Sequence, residues 1–292
     1  MKLAYHVVDV FTTTPLEGNA LAVFPDASGV DSVTMQRVAR ELNLSETTFV
    51  LPAESTAETT RVRIFTPESE LPFAGHPTIG TAYVLRRLGM VPPEAQRFIL
   101  SENVGPVPIR VDAGDDPILW LTTPPIRKLG ELGRERCARA LSITPERLVP
   151  GVPCEILSAG NAIAFVAVRD SAAVDDARVD SALLRDLLRG SKNRVCIFVF
   201  APTEGGAYSR MFAPLLGVPE DPATGSATGP LAAFMMKHGL ASSADGTRFI
   251  SEQGVKMGRR SLLHVLINGE HGKHAIEVGG NVVHVAEAAM HL

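Results

Sequence analysis

Short apolar segments bounded by turn residues dominate the first part of the chain. They are rich in Val, Ile, Phe and Thr, and Pro, Gly or Asn residues separate them, which is the pattern of strands. The segments are 3–11, 20–24, 47–51 and 61–65. Because they follow one another too closely for strand–helix–strand units, the pattern disfavours a doubly wound parallel sheet and favours a mostly antiparallel one.

Helical periodicity interrupts these strands at two places. Met35, Val38, Ala39 and Leu42 repeat at i, i+3, i+4 and i+7 and predict a helix whose N-cap is residue 31 or 32. A second helix is predicted from Pro77 through residue 88, because its apolar positions recur at similar intervals and a glycine follows its last turn.

The second half of the chain repeats this plan. Strands are predicted at 154–158, 162–168, 195–201, 208–213, 261–267, 274–278 and 281–287. Helices are predicted over 181–189 and from 226 to the glycine at 239.

Three short sequence motifs occur twice in the same order. GNALA at 18–22 returns as GNAIA at 160–164, and RIFTP at 63–67 returns as RMFAP at 210–214. Gly75-His76 is matched by Gly225-Ser226 further on. An ordered repeat of this kind predicts a duplicated structural unit. Two similar lobes would then face each other across a ligand-binding cleft.

The predicted fold class is therefore α+β, with two similar lobes that each consist of a curled, mostly antiparallel sheet around a central helix. Residues 1–117 are expected to form the N-terminal lobe and 118–278 the C-terminal lobe, with a structure-breaking TTPP segment at 122–125. The final segment, 279–292, either stays with the second lobe or returns to the first.

Composition narrows the function classes. The 292 residues are 45% hydrophobic and carry a net charge of −4, which disfavours nucleic acid as a partner. No apolar run reaches the length of a signal peptide or membrane helix, so we expect a cytoplasmic chain that does not contact a membrane. The three cysteines suggest neither a disulfide framework nor a zinc site, and we expect them to be buried and reduced.

Gly75-His76 and Gly225-Ser226 are the strongest candidates for a binding site. A helix N-terminus presents unpaired N–H groups and a partial positive charge, and glycine lets a ligand approach the backbone, so each start suits a carboxylate or phosphate. Simple helix capping, with Ser226 as an N-cap, is the commoner explanation for one such site alone, but the duplication favours function.

Other chemistry has weak support in the sequence. The histidines outside the Gly75-His76 pair show no metal-ligand spacing and are expected at the surface, so we predict no metal site. They are His6, His238, His264, His271, His274, His284 and His291. Motifs of dinucleotide binding, ATP binding, zinc proteolysis and the serine nucleophile elbow are missing from the sequence, and we predict no cofactor.

Four motifs in order resemble the PhzF family of phenazine-biosynthesis-like isomerases. They are PLEGN at 15–19, NLSETTFV at 43–50, FTP at 65–67 with LPFAGHP at 71–77, and EDPATGSA at 220–227. The resemblance runs from about residue 5 to about residue 240. It implies the two-domain diaminopimelate-epimerase-like fold, a homodimer and no cofactor.

The resemblance also implies roles for individual residues. Glu46 would be the general acid/base that moves a proton on a small carboxylate-bearing substrate. The substrate-binding residues would be Ser45, Gly75, His76, Asp221, Gly225 and Ser226. The related epimerases have a cysteine before the glycine at each helix start, where this chain has Ala74 and Thr224, so racemisation by two thiols is excluded.

Two alternatives stay open from the sequence. The first is an epimerase or racemase in which Glu46 works with Asp221 or His76 as a second base. The second is a non-catalytic dimer that binds anions, against which the retention of Glu46 beside intact Gly-His and Gly-Ser pairs argues.

Overall fold

The computed structural model describes residues 1–53, 59–114, 116–191, 193–269 and 275–292. The helices in these ranges are α1 (Ser32–Leu42), α2 (Gly75–Arg87), α3 (Arg134–Ala140), α4 (Ser171–Asp176), α5 (Ser181–Leu187) and α6 (Gly225–Lys237). The strands are β1 (Lys2–Val10), β2 (Asn19–Phe24), β3 (Glu46–Leu51), β4 (Thr60–Phe65), β5 (Glu70–Leu71), β6 (Arg97–Glu102), β7 (Gly105–Val111), β8 (Leu119–Thr122), β9 (Arg127–Leu132), β10 (Cys154–Ser158), β11 (Ala162–Ala167), β12 (Val195–Thr203), β13 (Gly206–Ala213), β14 (Val218–Asp221), β15 (Arg248–Gln253), β16 (Ser261–Asn268), β17 (Ala275–Gly280) and β18 (Val282–His291).

The chain divides into two compact units. The first unit consists of Met1–Pro124 and Glu277–Leu292, and the second of Pro125–Ile276. The division lies later than the predicted boundary between 117 and 118, because β8 pairs with β7 and with residues 277–280 of β17. The last strand, β18, pairs antiparallel with β1 and so belongs to the first unit.

The two units share one order of strand pairing. In the first unit, β1, β2, β3, β4, β6 and β7 are neighbours in that order, and the pairs alternate between antiparallel and parallel. In the second unit, β10, β11, β12, β13, β15 and β16 repeat the same alternation. The predicted duplication is therefore visible in the topology, and each unit is a mixed, mostly antiparallel sheet.

Each sheet packs against one buried helix, α2 in the first unit and α6 in the second. Ten of the thirteen residues of each helix are buried, which is typical of a helix surrounded by its domain core rather than lying on a surface. Both helices begin at the glycine of the repeated pair, so α2 starts two residues before the predicted Pro77. The α+β class predicted from the sequence is confirmed.

An arginine–glutamate ion pair occurs at equivalent positions in the two units. Arg63 on β4 forms a bidentate pair with Glu70, and Arg210 on β13 forms one with Glu220. Arg63 also donates to Ser32 at the start of α1, and the guanidinium of Arg210 donates to backbone carbonyls of the α4 region. Planar bidentate geometry explains why both copies use arginine.

The structure also tests the predictions made for Asp31, the cysteines and the histidines. Asp31 is the N-cap of α1, since its carboxylate accepts from the amides of residues 33 and 34. The three cysteines are buried, as predicted. The expectation that His6 is a surface residue is wrong, because β1 lies between β2 and β18 and the His6 side chain is buried. His271 and His274 lie outside the described residues. No helix in the described ranges combines the length and apolar character needed to cross a membrane.

Candidate active site

Glu46 is the first residue of β3, and the chain places it there by a sharp helix end. Helix α1 stops at Asn43, which has φ of 51° and directs its N–H to the carbonyl of Ala39. Asparagine tolerates this left-handed conformation better than most residues. After Ser45, β3 pairs in parallel with β2, which places Glu46 beside Leu21, with the Glu46 side chain 16% exposed.

Helix α2 approaches the sheet closely enough to bring its first turn to the same place. A Cβ at Gly80 would lie 2.6 Å from Leu21 Cδ2 and 2.9 Å from Val10 Cγ2, so only glycine fits between the helix and β1–β2. Thr81 of the helix also hydrogen-bonds Thr48 of β3 across 2.8 Å. These contacts fix the position of Gly75 and His76 relative to the first residues of β2 and β3.

His76 and Glu46 meet at this junction. His76 Nε2 lies 3.3 Å from Glu46 Oε2, and the imidazole is buried. Burial lowers the pKa of His76 to about 3, so the ring is neutral at physiological pH. The two residues therefore do not form an ion pair in which histidine carries the positive charge, although their distance would permit one.

Asn19 determines which ring nitrogen of His76 carries the hydrogen. Asn19 Nδ2 lies 3.2 Å from His76 Nδ1, and an amide nitrogen can only donate, so Nδ1 accepts. The neutral ring then carries its hydrogen on Nε2, the atom that faces Glu46. The contact between Nε2 and Oε2 does not have hydrogen-bond geometry, so this neutral N–H lies beside the Glu46 carboxylate without neutralising it.

A second acid, Glu102, lies beneath the start of α2. Burial raises the pKa of Glu102 to about 8, so its carboxyl is protonated at neutral pH. Thr78 Oγ1 lies 2.5 Å from Glu102 Oε1 and 2.7 Å from the carbonyl oxygen of Ala74. Because the hydroxyl has one hydrogen, the protonated carboxyl can donate to Thr78 while Thr78 donates to Ala74.

The second unit repeats these contacts with different side chains. Asn161 Nδ2 donates to Ser226 Oγ across 3.4 Å, in the place of the Asn19–His76 contact. Thr224, not Ser226, is the N-cap residue of α6, and its hydroxyl donates to Asp221 Oδ2 across 2.5 Å. Gln253 accepts from the amide of Thr224 and donates to its hydroxyl and to the carbonyl of Asp221.

Strand register identifies which residues correspond in the two units. Glu46 is opposite Leu21 on β2, and Cys196 is opposite the corresponding Ile163 on β11. In the second unit, buried Cys196 therefore occupies the position that Glu46 occupies in the first unit. In the same way, Glu102 and Gln253 each end the strand that follows the central helix.

The structure brings the predicted residues together in two sets. Glu46, Gly75 and His76 meet in the first unit, with Ser45 adjacent to Glu46 in sequence and partly exposed. Asp221, Gly225 and Ser226 meet in the second unit, where Asp221 and Ser226 are buried. That these residues bind a substrate stays a prediction.

Sequence reasoning missed four residues that orient these sets. The signal for Asn19 and Asn161 is their duplication beside Gly18 and Gly160 in the repeat. The signal for Glu102 and Gln253 is that they end two similar sequence motifs, RFILSE and RFISEQ.

The first unit thus combines one acidic side chain, one neutral N–H donor and the amide end of a buried helix. Such an arrangement can take a proton from carbon and give it back while the helix end and imidazole stabilise negative charge. This is the chemistry of a proton-transfer isomerase.

Comparison with known proteins agrees with this class. The family model described as phenazine biosynthesis-like protein, PhzC-PhzF, matches residues 8–288. A trans-2,3-dihydro-3-hydroxyanthranilate isomerase from Pseudomonas chlororaphis is 36% identical over 282 residues, which cover 96% of each chain.

Solved structures give the same result for the fold. A predicted epimerase from Pseudomonas aeruginosa superposes with a TM-score of 0.83 at 32% identity, covering 99% of both chains. A PhzF-family protein from Bacillus anthracis has a TM-score of 0.88 at 24% identity over the full length of both, which supports the fold alone. The chain belongs to the phenazine biosynthesis-like PhzF family, and it is an isomerase.

Proposed function

We propose that Glu46 moves a proton between two carbons of a small carboxylate-bearing substrate. The observation that carries this proposal is the 3.3 Å contact between Glu46 Oε2 and the Nε2 of a neutral His76, at the first turn of α2. A carboxylate is a suitable base for a carbon acid that an adjacent group activates, and as a carboxylic acid it can return the same proton.

The neutral state of His76 matters for this role. An imidazolium beside Glu46 would hold the carboxylate in a strong ion pair and weaken it as a base. A neutral N–H leaves the carboxylate basic and can donate to negative charge that develops on the substrate. Asn19 maintains the required tautomer through its contact with Nδ1.

A single acid/base agrees with what the second unit offers. The position that corresponds to Glu46 is occupied by buried Cys196, and the residues before the two helix-start glycines are Ala74 and Thr224. None of these three can act as a carboxylate base, and two lack any titratable group. These three positions therefore supply no second base, and the proposal assigns the proton transfer to Glu46 alone.

The relative from Pseudomonas chlororaphis suggests a substrate to test. Its name specifies trans-2,3-dihydro-3-hydroxyanthranilate, a compound with a carboxylate that could accept N–H donors. We propose this compound or a close analogue as substrate. Asp221, Gly225 and Ser226 are proposed to bind it as well, and the active form is proposed to be a cytoplasmic homodimer that needs no cofactor.

Replacement of Glu46 by Gln tests the mechanism. Glu46→Gln is isosteric and removes the proton carrier, so turnover of trans-2,3-dihydro-3-hydroxyanthranilate should fall by about 10² to 10⁴, whereas substrate affinity should stay within about tenfold. Turnover would be followed by NMR, and affinity by calorimetry. Glu41→Gln, which changes an exposed glutamate of α1, is the control and should leave both values unchanged. A Glu46→Gln enzyme that keeps more than about a tenth of the activity would contradict the assignment.

An epimerase is the second candidate, and the name of the Pseudomonas aeruginosa structure motivates it. The two functions differ in where solvent hydrogen appears. In D₂O, an epimerase incorporates deuterium at one carbon with inversion, whereas the proposed isomerase moves hydrogen to a different carbon. Deuterium at the inverted centre alone would favour the epimerase.

A further inference from the structure

Three potential metal ligands meet where the first and last strands of the first unit pair. His6 lies on β1, and His284 and Glu287 lie on β18. His6 Nδ1 is 3.2 Å from His284 Nε2 and 3.7 Å from Glu287 Oε1, and the last two atoms are 3.6 Å apart. None of these residues takes part in the proposed proton transfer.

An irregularity in the strand pairing puts the three side chains on one face. His6 is directly opposite Glu287, and a regular strand would then direct residues 283 and 285 to that face. The register shifts between Val7 and Val8, so that His284 is opposite Val8 and Val285 has no partner on β1. This β-bulge turns His284 to the side of His6 and Glu287, and bulges commonly redirect a side chain in this way.

The distances fit a tetrahedral metal better than a set of hydrogen bonds. Zinc bound to nitrogen and oxygen at about 2.0 to 2.1 Å in tetrahedral geometry separates its ligand atoms by about 3.3 to 3.4 Å. The three observed separations, 3.2, 3.6 and 3.7 Å, lie around that value. In a simple hydrogen-bonded pair, the third ligand atom has no reason to lie at a similar distance from both nitrogens.

Burial is compatible with this interpretation, whereas one nearby charge opposes it. The His6 side chain is 9% exposed, that of His284 17%, and that of Glu287 62%, so the cluster is anchored on its inner side and open to an entering ion on its outer side. Arg87 is close enough to His284 to act on it electrostatically. Arg87 at the end of α2 is exposed, and its positive charge opposes the binding of a cation.

We propose that His6, His284 and Glu287 form a binding site for a divalent transition metal, with Zn²⁺ as the preferred ion. Two imidazoles and one carboxylate are borderline ligands suited to zinc. Its effect would be structural, because a shared ion would join β18 to β1 and so hold the last strand of the unit in its bulged register. Water would complete the coordination on the exposed side.

Cobalt binding tests the proposal directly. Untagged protein would be treated with chelator and titrated with Co²⁺, whose tetrahedral complexes absorb visible light strongly. We expect one Co²⁺ per chain with this absorption, displaced by Zn²⁺, and a midpoint of thermal unfolding raised by at least about 2 °C when Zn²⁺ is present in excess.

Three variants separate this site from adventitious binding. His284→Gln should weaken binding at least about tenfold and abolish the thermal shift, whereas Arg87→Gln should tighten binding because it removes an opposing charge. His291→Gln changes an exposed histidine of the same strand outside the cluster and should bind like the unaltered chain. Buried Trp120 fluorescence would confirm that each variant is folded. A missing tetrahedral spectrum, or equal binding by His284→Gln, would overturn the proposal.

Discussion

Glu102 gives the first unit a stability that depends on pH in a defined direction. The pKa of Glu102 is raised from 4.5 to about 8 in the folded chain, so the folded state keeps a proton that the unfolded state loses. The contribution of Glu102 to stability is therefore fully present below about pH 4.5 and is lost as pH rises toward 8. Over about 3.5 pH units at about 1.36 kcal/mol each, this group alone removes about 4 to 5 kcal/mol.

Replacement by Gln should remove this dependence. Glu102→Gln keeps the size of the side chain and an N–H donor for Thr78, as Gln253 does for Thr224 in the second unit. The variant should therefore resemble the unaltered protein near pH 5. At pH 8 we expect it to be more stable by several kcal/mol, because no buried carboxylate has to form.

The assay can report on this unit specifically. Trp120 is the sole tryptophan of the sequence, is buried on β8, and belongs to the first unit. Urea denaturation followed by its fluorescence at pH 5, 6.5 and 8 would give the free energy of unfolding at each pH. Glu68→Gln, an exposed glutamate, is the control and should leave the pH dependence unchanged. A stability difference between Glu102→Gln and the unaltered protein that stays constant within about 0.5 kcal/mol would refute the reasoning.

Two further substitutions address the packing and the symmetry of the units. Gly80→Ala would place a methyl group 2.6 Å from a fully buried Leu21, so we expect the free energy of unfolding to fall by about 1 to 3 kcal/mol. Urea denaturation followed by Trp120 fluorescence would measure this change. An unchanged free energy of unfolding would show that the helix can move away. Gln253→Glu would introduce a buried acid into the second unit. Circular dichroism should show that its destabilisation is larger at pH 8 than at pH 5 by at least about 1 kcal/mol, and an equal loss at both values would contradict the proposed equivalence with Glu102.

Local signals in the sequence predicted the elements that they determine. The carboxylate of Asp31 caps α1 as predicted, and the two central helices begin at Gly75 and Gly225, one or two residues before the predicted starts at Pro77 and 226. The repeated helix start identifies His76 as a site residue, and the family motifs identify Glu46. The contact between them follows from strand pairing and from the close approach at Gly80, which periodicity alone does not reveal.

Long-range pairings were beyond the reach of such signals. Strand β18 pairs with β1 at the opposite end of the chain, and β8 pairs with the distant β17, so spacing does not decide the placement of the last segment. The cluster of His6 with His284 and Glu287 depends in addition on a single bulge residue. No local pattern marks a bulge here, and the histidines consequently read as unrelated surface residues.

The pairing of β1 with β18 also affects how the chain can fold as it is synthesised. The second unit is continuous from Pro125 to Ile276, so a ribosome delivers all of its strands before the last strand of the first unit emerges. Domains usually complete folding in the order of synthesis. Here that order is reversed: the earlier unit must wait, with one edge of β1 uncovered, until the later unit has been made.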